Sequence, residues 1–326
     1  MKSKILGALR SAEDYVSGQE LCENFGVTRT AIWKTMNQLK EEGYEIEAVS
    51  NKGYRLKSCP DSVKEEELLS RINTKWAGRQ IAYLKEVDST NNYARRLAEN
   101  GAVHGTLAVT DRQYGGKGRR GKSWSMPEKS SVAMTLIIRP QMNPGKASML
   151  TLVMGLAVAR AVNRIAGLQA KIKWPNDVVL NGRKICGILT EMSAEMEAVN
   201  YIVIGAGINV NMDELPEEID HVATSLSLEC SKKIHRAEVI QYCMEEFERC
   251  YEKFMQTQDL SLLLEEYNEV LVNKGNMVKV LEPGNEYTGI SDGINSQGEL
   301  LVTKDNGDQV CVFAGEVSVR GFYGYV

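Results

Sequence analysis

The sequence predicts an α+β protein of three units: an N-terminal winged helix-turn-helix, a central α/β domain with a mixed sheet, and a small C-terminal β-barrel. The chain has 326 residues, more than one ordinary domain holds. Its 43% hydrophobic and 25% charged residues are typical of a soluble globular protein. The secondary-structure pattern changes near residue 60 and again near residue 272. We therefore place the units at residues 1–58, 66–272 and 273–326.

The first unit has three short helical patterns followed by a hairpin. Residues 3–13 have helical apolar spacing, and a second helix is predicted between Ser17-Gly18 and Gly26-Val27. Thr28 can cap a third helix, and the alternating run after it turns at residues 51–53. Helix, turn, helix and wing together favour DNA binding over the alternative, a helical protein-interaction module. The residues predicted to contact DNA are Thr28, Arg29, Thr30, Trp33 and Lys34 in the major groove, with Lys52 and Arg55 on flanking phosphates.

The central and C-terminal units differ in their patterns. In the central unit, strand-like runs such as TLAVTDRQ and YIVIGAGINV occur between long helical patterns at residues 91–100, 147–166 and 237–255. They do not alternate strictly, which favours a mixed sheet over a TIM barrel or a doubly wound fold. After residue 275 the strands become short and are separated by turns, which predicts the small barrel.

Composition excludes several classes of protein. The net charge is −4, so nucleic-acid binding would need a local basic patch. The seven cysteines form no CxxC pair and the three histidines no HExxH pattern, which argues against a zinc site or a metallohydrolase. The N-terminus lacks a signal-peptide core, and the longest uncharged run, residues 147–159, is too short to cross a bilayer and predicts a buried helix. These features predict free thiols in a reducing cytoplasm.

The stretch GGKGRRGKSW, residues 115–124, contains four cations among four glycines. No acidic residue lies between Asp111 and Glu128. Glycine lets the backbone approach a ligand closely, while the cations can surround a compact anion such as a nucleotide phosphate or a carboxylate. The spacing matches neither the P-loop nor the dinucleotide-binding fingerprint. A solvated basic turn remains the alternative.

Three further blocks combine glycines with polar groups. LKEVDSTNNYARRL places residues 88–90 before a helix, as caps or as the edge of an open site. In KIKWPNDVVLNGRKICGIL, Lys184 follows a hairpin turn and Gly187 leaves space beside the backbone. IVIGAGINVNM has Gly205 and Gly207 in an apolar strand, which indicates close approach of a ligand or tight strand packing. Such parts suit nucleotidyl or phosphoryl transfer, in which positioning and charge stabilisation dominate.

Taken together, these blocks resemble a known family. GGKGRRGKSW is similar to the GRGRRGRxW signature of biotin protein ligases, and DSTN, KWPND, GRKICGIL and IGAGIN match that family's other blocks in order. The helix-turn-helix and the C-terminal unit resemble the bifunctional bacterial form, which is both biotin ligase and biotin-operon repressor. The resemblance covers nearly the whole chain, and it implies a class II synthetase-like central domain and an SH3-like C-terminal barrel.

The resemblance assigns roles to individual residues. Lys184, Arg119 and Lys117 would be catalytic, and Asp177 would be the partner of Mg²⁺. Biotin would be bound by Ser89, Thr90, Asn91, Gln113, Gly116, Lys117, Gly118, Arg119, Lys184, Gly187 and Gly205. ATP or the adenylate would be bound by Arg119, Arg120, Asn176, Lys184, Asn209, Glu316 and Arg320.

The implied activity uses ATP, Mg²⁺ and biotin. Biotinyl-AMP would form first, and biotin would then pass to a lysine of a biotin carboxyl carrier protein, the carrier of acetyl-CoA carboxylase. The same adenylate would act as corepressor, favouring a homodimer that binds operator DNA. The alternatives are a biotin-sensing repressor without transfer activity and a ligase for a related acid such as lipoate.

The sequence departs from the family signature at two kinds of position. Lys117 and Lys122 replace its first and last arginines, which keeps the charge but loses the bidentate fork. This predicts a changed affinity for the adenylate. Some members place an aromatic residue over the adenine after the position of Asn209, where this chain has Val222.

Overall fold

The computed structural model describes residues 1–326 apart from 197, 216, 218, 283, 285, 315–317 and 322–324 and the side chains at 125 and 166. The helices are α1 (Lys2–Ser11), α2 (Gly18–Phe25), α3 (Arg29–Glu41), α4 (Glu65–Arg71), α5 (Thr90–Glu99), α6 (Met149–Ala166), α7 (Leu226–Cys230), α8 (Arg236–Thr257) and α9 (Leu264–Val270). The strands are β1 (Glu45–Val49), β2 (Gly53–Ser58), β3 (Gln80–Val87), β4 (Thr106–Lys117), β5 (Ser123–Met126), β6 (Ser131–Ile138), β7 (Lys171–Lys173), β8 (Asp177–Leu180), β9 (Arg183–Glu195), β10 (Ala198–Asn209), β11 (Met277–Leu281), β12 (Tyr287–Ile294), β13 (Leu300–Thr303), β14 (Gln309–Val312) and β15 (Ser318–Gly321).

The N-terminal unit is the predicted winged helix-turn-helix. Ser17 caps α2 by accepting a hydrogen bond from the Glu20 N–H, and α2 ends at Gly26 in the left-handed conformation. The predicted cap Thr28 accepts from the Ala31 N–H at the start of α3. Strands β1 and β2 pair antiparallel as the wing. The core of this unit consists of Ile5, Leu6, Leu9, Val16, Leu21, Ile32, Met36, Leu39, Tyr44 and Ile46.

The central unit contains an eight-stranded mixed sheet. Its strand order is β3-β4-β6-β10-β9-β8-β7, with β5 paired to β4. Strands β3 and β4 are parallel, and the other described pairs are antiparallel. The prediction of a mixed sheet without strict alternation is confirmed.

Helices cover both faces of this sheet. Along β10, Ile202 and Ile204 belong to the main core with α6 and α8, whereas Val203 packs with Ala94 of α5 on the opposite face. Side chains alternate between faces along a strand, so burial on both faces explains the unbroken apolar run of β6. Among the described residues one stretch, Pro144–Ile165, is long and apolar enough to cross a membrane. It contains most of α6 and is mostly buried in the core, as the sequence predicted for residues 147–159.

The C-terminal unit is an antiparallel sheet in the order β14-β13-β12-β11-β15. No described pairing joins β14 to β15, so closure into a barrel stays a prediction. This sheet packs on the central unit: the Trp174 indole N–H donates to the Gly298 carbonyl at 3.0 Å, and Trp174 is 1% exposed. Val278 and Val302 of this sheet share one hydrophobic core with α6 and α8. That docking brings the end of β15 to the edge of the central sheet.

Candidate functional site

A cavity of about 340 Å³ lies where the central sheet, the 115–124 loop and the C-terminal unit meet. Most residues that the sequence assigned to ligand binding line it. These residues are Ser89, Thr90, Asn91, Gln113, Lys117, Gly118, Arg119, Arg120, Asn176, Asp177, Lys184, Gly187, Gly205 and Arg320. The lining also includes Lys122, Ser123, Trp124, Ala133, Lys173, Ile188, Leu189, Ala206, Gly207, Val222 and Tyr325. The lining therefore joins segments that are more than 200 residues apart in the chain.

The start of α5 forms one wall of the cavity. The backbone N–H of Thr90 donates to Gln113 Oε1 at 2.8 Å, while the Ser89 side chain makes no capping hydrogen bond. Of the two alternatives for residues 88–90, Ser89 does not act as a side-chain cap, because a side chain from β4 accepts from the free N–H group instead, and Ser89 and Thr90 line the cavity. Thr135 donates to Asn91 Oδ1 at 2.8 Å, and the Asn91 amide donates to Glu191 at 2.8 Å. These bonds hold the polar wall in one arrangement before any ligand binds.

Two glycines of the central strands are explained by neighbouring side chains. A Cβ atom at Gly205 would lie 2.0 Å from Asn91 Oδ1, and one at Gly207 would lie 2.5 Å from the Trp124 indole. At Gly187 a Cβ would meet both the Lys184 ammonium and the Trp124 ring, at 3.1 and 3.2 Å. The tight-packing alternative therefore holds for Gly205 and Gly207, although both also line the cavity.

Trp124 forms the apolar side of the cavity. Its ring centroid lies 5.7 Å from the Lys184 ammonium. Its indole N–H is buried and has no hydrogen-bond partner among the described atoms. A buried donor of this kind costs free energy unless a ligand or water accepts from it. The cavity thus combines an apolar wall with an unused donor.

The charged side of the cavity is centred on Asp177. One carboxylate oxygen lies 2.6 Å from the Lys184 ammonium, and the other accepts a hydrogen bond from the Tyr325 hydroxyl. The Lys173 ammonium lies 3.8 Å from the centroid of the Tyr325 ring. Burial lowers the pKa of Lys173 to about 8, and burial together with Asp177 raises the pKa of Tyr325. One carboxylate therefore faces a cluster of cations.

Arg119 connects the 115–124 loop to the rest of the site. Its guanidinium donates to Asn176 Oδ1 at 3.1 Å and to the Ala314 carbonyl at 2.6 Å. Burial lowers its pKa from the usual arginine value. Arg120 next to it has a φ of 57°, in the left-handed region. The loop therefore closes against both the central and the C-terminal units.

Among the described residues, two of those predicted for the site, Asn209 and Gly116, do not line this cavity. Asn209 is buried and donates from its amide to the Thr224 carbonyl at 3.1 Å. Gly116 pairs with Trp124, and a Cβ there would lie 2.5 Å from the Trp124 carbonyl oxygen, which explains the glycine without a ligand. Glu316 lies outside the described residues.

A second candidate surface lies on the N-terminal unit. All five residues predicted for the major groove are exposed at the start of α3, and Trp33 is 58% exposed. On the wing, Lys52 and Arg55 lie 5.7 and 6.0 Å from the centroid of the Tyr15 ring. Arg29 donates to Gln19 of α2 at 3.0 Å. The helix start and the wing thus present cations to solvent.

Buried ion pairs join the N-terminal unit to the central unit. Glu67 of α4 is 1% exposed and accepts hydrogen bonds from Arg10 of α1, Arg71 and the Tyr44 hydroxyl. In the linker, Asp61 accepts from the Arg236 guanidinium at 2.9 Å. These contacts fix how α3 is presented relative to the ligand cavity.

Each of the three units of the chain matches a known protein family or domain. Residues 83–209 match the Biotin/lipoate A/B protein ligase family, residues 2–55 an HTH domain, and residues 275–320 the Biotin protein ligase C terminal domain. The chain is 38% identical to the bifunctional ligase/repressor BirA of Bacillus subtilis, over 91% of this chain and 92% of that protein. With BirA of Escherichia coli the identity is 30%, over 97% and 96%.

This chain belongs to the BirA family of bifunctional ligase/repressors.

A solved biotin protein ligase is similar in structure to about three quarters of this chain. The biotin protein ligase from Aquifex aeolicus in complex with biotin and ATP has a TM-score of 0.66 and 31% identity, covering 74% of this chain and 99% of that one. In the present BirA-family chain, Lys117 and Lys122 occupy the two positions where the signature has arginine, and both line the cavity. Val222, at the position considered for an adenine-stacking aromatic, also lines it.

Sequence reasoning missed three contributors to this BirA-family site. Trp124 is the last residue of the basic loop and Lys173 is the first residue of KWPND, but neither was assigned a role. Their positions within these two motifs could have indicated that they belong to the site. Tyr325 gave no signal, because only the docking of the C-terminal unit brings it to Asp177.

Proposed function

We propose that the chain is a biotin–[biotin carboxyl carrier protein] ligase that forms biotinyl-5'-AMP and also acts as a biotin-responsive repressor. One observation carries the ligase proposal: Lys117, Arg119 and Lys184 converge on a cavity that has Trp124 as an apolar wall. Biotin offers an apolar body and a carboxylate, and ATP brings phosphates. The cavity therefore offers an apolar wall for the body of biotin and cations for its carboxylate and for the phosphates of ATP.

In the first step a biotin carboxylate oxygen attacks the α-phosphorus of ATP. A P–O bond forms, the bond to the β-phosphate bridging oxygen breaks, and pyrophosphate leaves. The carboxylate is ionised at pH 7, so no general base is required. The barrier is the approach of two anions, which Lys117, Arg119 and Lys184 would lower by charge stabilisation. In the second step the neutral amine of a carrier-protein lysine attacks the acyl carbon. A C–N bond forms, the C–O bond to the AMP phosphate breaks, AMP leaves and the amine proton passes to water.

We assign Mg²⁺ to the phosphates of ATP and to Asp177. Asp177 is the one carboxylate among the described residues that line the cavity, and no described group of three His, Cys, Asp or Glu residues could hold a metal. Such a donor set fits Mg²⁺, which keeps several waters and binds through a carboxylate plus substrate phosphates. Bound there, Mg²⁺ would neutralise phosphate charge.

Biotin-dependent ATP–pyrophosphate exchange tests the ligase proposal directly. We expect exchange with biotin and none without it. No exchange with biotin, or faster exchange with lipoate, would contradict the proposal. Exchange without transfer to a carrier protein would identify the chain as a biotin-sensing repressor instead.

For repression we propose that biotinyl-AMP is the corepressor and that it favours a homodimer in the cytoplasm. The exposed start of α3 and the basic wing support a DNA contact in each subunit. A symmetric dimer would read two half-sites of an inverted repeat in a biotin operon. A gel shift on such an operator, with and without biotin and ATP, tests this, and equal binding in both conditions would exclude a corepressor role.

Replacing Lys34 with alanine should weaken operator binding without changing exchange. Loss of a phosphate or base contact costs about 1–3 kcal/mol, or roughly 5- to 150-fold in affinity. Lys40→Ala is the matched control, because Lys40 lies in the last turn of the same helix, α3. Unchanged affinity in Lys34→Ala would remove the start of α3 from the DNA contact.

Replacing Glu67 with glutamine should loosen the N-terminal unit and leave exchange intact. The neutral amide cannot balance Arg10 and Arg71, so the fixed orientation of α3 is lost. We expect faster proteolysis of the 59–64 linker and weaker operator binding. Glu65→Gln, an exposed change on the same helix, is the control. Wild-type cleavage and operator binding in Glu67→Gln would show that this ion pair does not orient α3.

A further inference from the structure

Lys173 is a buried cation that the steps above do not use. It is 6% exposed, lines the cavity, and has no carboxylate within ion-pair distance among the described residues. Its ammonium contacts the face of the Tyr325 ring. Asp177, on the adjacent strand, is too far away to form an ion pair with Lys173. A buried charge without a directly paired anion is unfavourable, and an aromatic face compensates for only part of that cost. The position is therefore suited to receive an anion.

The Tyr325 side chain contacts two charged residues of the cavity, Lys173 and Asp177. Its ring covers Lys173, and its hydroxyl donates to the Asp177 oxygen that does not face Lys184. The residue after it is packed as well: Val326 lies 3.3 Å from a Cβ position at Gly182, and its backbone passes along Gly321. Tyr325 therefore lines one end of the cavity, and Val326 packs beside it.

Sheet register sets Lys173 at a fixed place relative to Lys184. Lys173 is opposite Asp177, and Asp177 is opposite Gly187, over which the Lys184 ammonium lies. Three neighbouring strands thus present cation, carboxylate and cation in a row, with about 4.8 Å between strands. A chain of phosphates that starts at Lys184 would extend across the sheet toward Lys173.

We propose that Lys173 binds the pyrophosphate portion of ATP and that Tyr325 occupies this phosphate position until the nucleotide displaces it. This inference rests on the proposed adenylation site. Lys173 would stabilise the charge on the leaving pyrophosphate, since a charge-assisted contact strengthens as that charge develops. When pyrophosphate departs, the Tyr325 ring covers Lys173 again, which disfavours the reverse reaction.

Calorimetric titration of the full chain with inorganic pyrophosphate tests the phosphate site without turnover. We expect Lys173→Gln to bind pyrophosphate about 10- to 100-fold more weakly, the loss typical of a hydrogen bond to a charged group. Lys304→Gln is the matched control, because the Lys304 ammonium also lies over a tyrosine ring, that of Tyr287, at 4.2 Å. The KM for ATP should rise in Lys173→Gln while the KM for biotin and the Tm stay near wild type. Wild-type pyrophosphate affinity in Lys173→Gln overturns the proposal.

Two measurements on Tyr325 test the displacement. Tyr325→Leu should bind pyrophosphate more tightly than wild type, whereas Tyr287→Leu should not. In chain labelled with 3-fluorotyrosine, the ¹⁹F signal assigned by its absence in Tyr325→Phe should move toward the solvent-exposed position as pyrophosphate saturates. A weaker-binding Tyr325→Leu, or an unmoved signal, overturns the proposal. Absence of biotin-dependent exchange in wild type would instead contradict the ligase proposal. The pyrophosphate titration tests the role of Lys173 independently of that result.

Discussion

Lys184→Ala is expected to reduce biotin-dependent exchange nearly to background while the fold stays intact. The Lys184 ammonium is the cation closest to Asp177, at 2.6 Å, and it projects over Gly187 into the cavity. Without it, the biotin carboxylate and the α-phosphate would have to approach with one fewer compensating charge. Loss of one such preorganised group costs about 100- to 1,000-fold in rate. Exchange assays on purified variant and wild type measure this.

Two comparisons separate chemistry from folding in that experiment. Lys171→Ala removes an exposed lysine from strand β7 of the same sheet, and we expect wild-type exchange and thermal stability. Lys184→Arg keeps the positive charge and should recover part of the lost rate. An alanine variant within a few-fold of wild type would remove Lys184 from the mechanism.

Arg236→Met should strongly destabilise the central unit. Arg236 is fully buried, and its guanidinium lies 2.9 Å from both Asp61 and Asp111. Asp111 is itself buried, so removing the arginine leaves a carboxylate without its cation. Breaking a buried pair in this way costs about 3–5 kcal/mol. The free energy of unfolding in urea measures the effect.

An exposed ion pair provides the control for Arg236. Arg164 and Glu245 lie at a similar distance, 3.0 Å, but the Arg164 side chain is 52% exposed. Arg164→Met should therefore cost at most about 1 kcal/mol, because water screens such pairs. If the two variants lost equal stability, burial would not be the reason that the Arg236 network stabilises the fold.

Sequence patterns were most informative where the controlling contacts are local. The caps of α2 and α3 involve Ser17 and Thr28, and each side chain accepts a hydrogen bond from an N–H three residues later. Alternation along residues 44–56 predicted the wing in the same way, because it depends on residues two apart. The composition of residues 115–124 identified the basic loop, and two of its cations, Lys117 and Arg119, line the cavity.

Contacts between distant segments were not predictable in the same way. At the start of α5 the Thr90 N–H donates to Gln113, a residue of strand β4, and the sequence did not indicate this contact. Gly205 and Gly207 indicated a close approach, but the sequence could not name Asn91 and Trp124 as the groups that approach. Each of these depends on how whole elements pack, which no short window contains.

The sequence by itself determined the winged helix-turn-helix, the mixed sheet and the residue types of a phosphate and carboxylate site. These depend on hydrogen bonds and side-chain periodicity within a few residues. Only the tertiary structure decided that Tyr325 meets Asp177 and Lys173, that Arg119 reaches the Ala314 carbonyl, and that Arg236 joins Asp61 to Asp111. The physical reason is that these pairs form when separately folded surfaces share a buried core, and their energies depend on that burial.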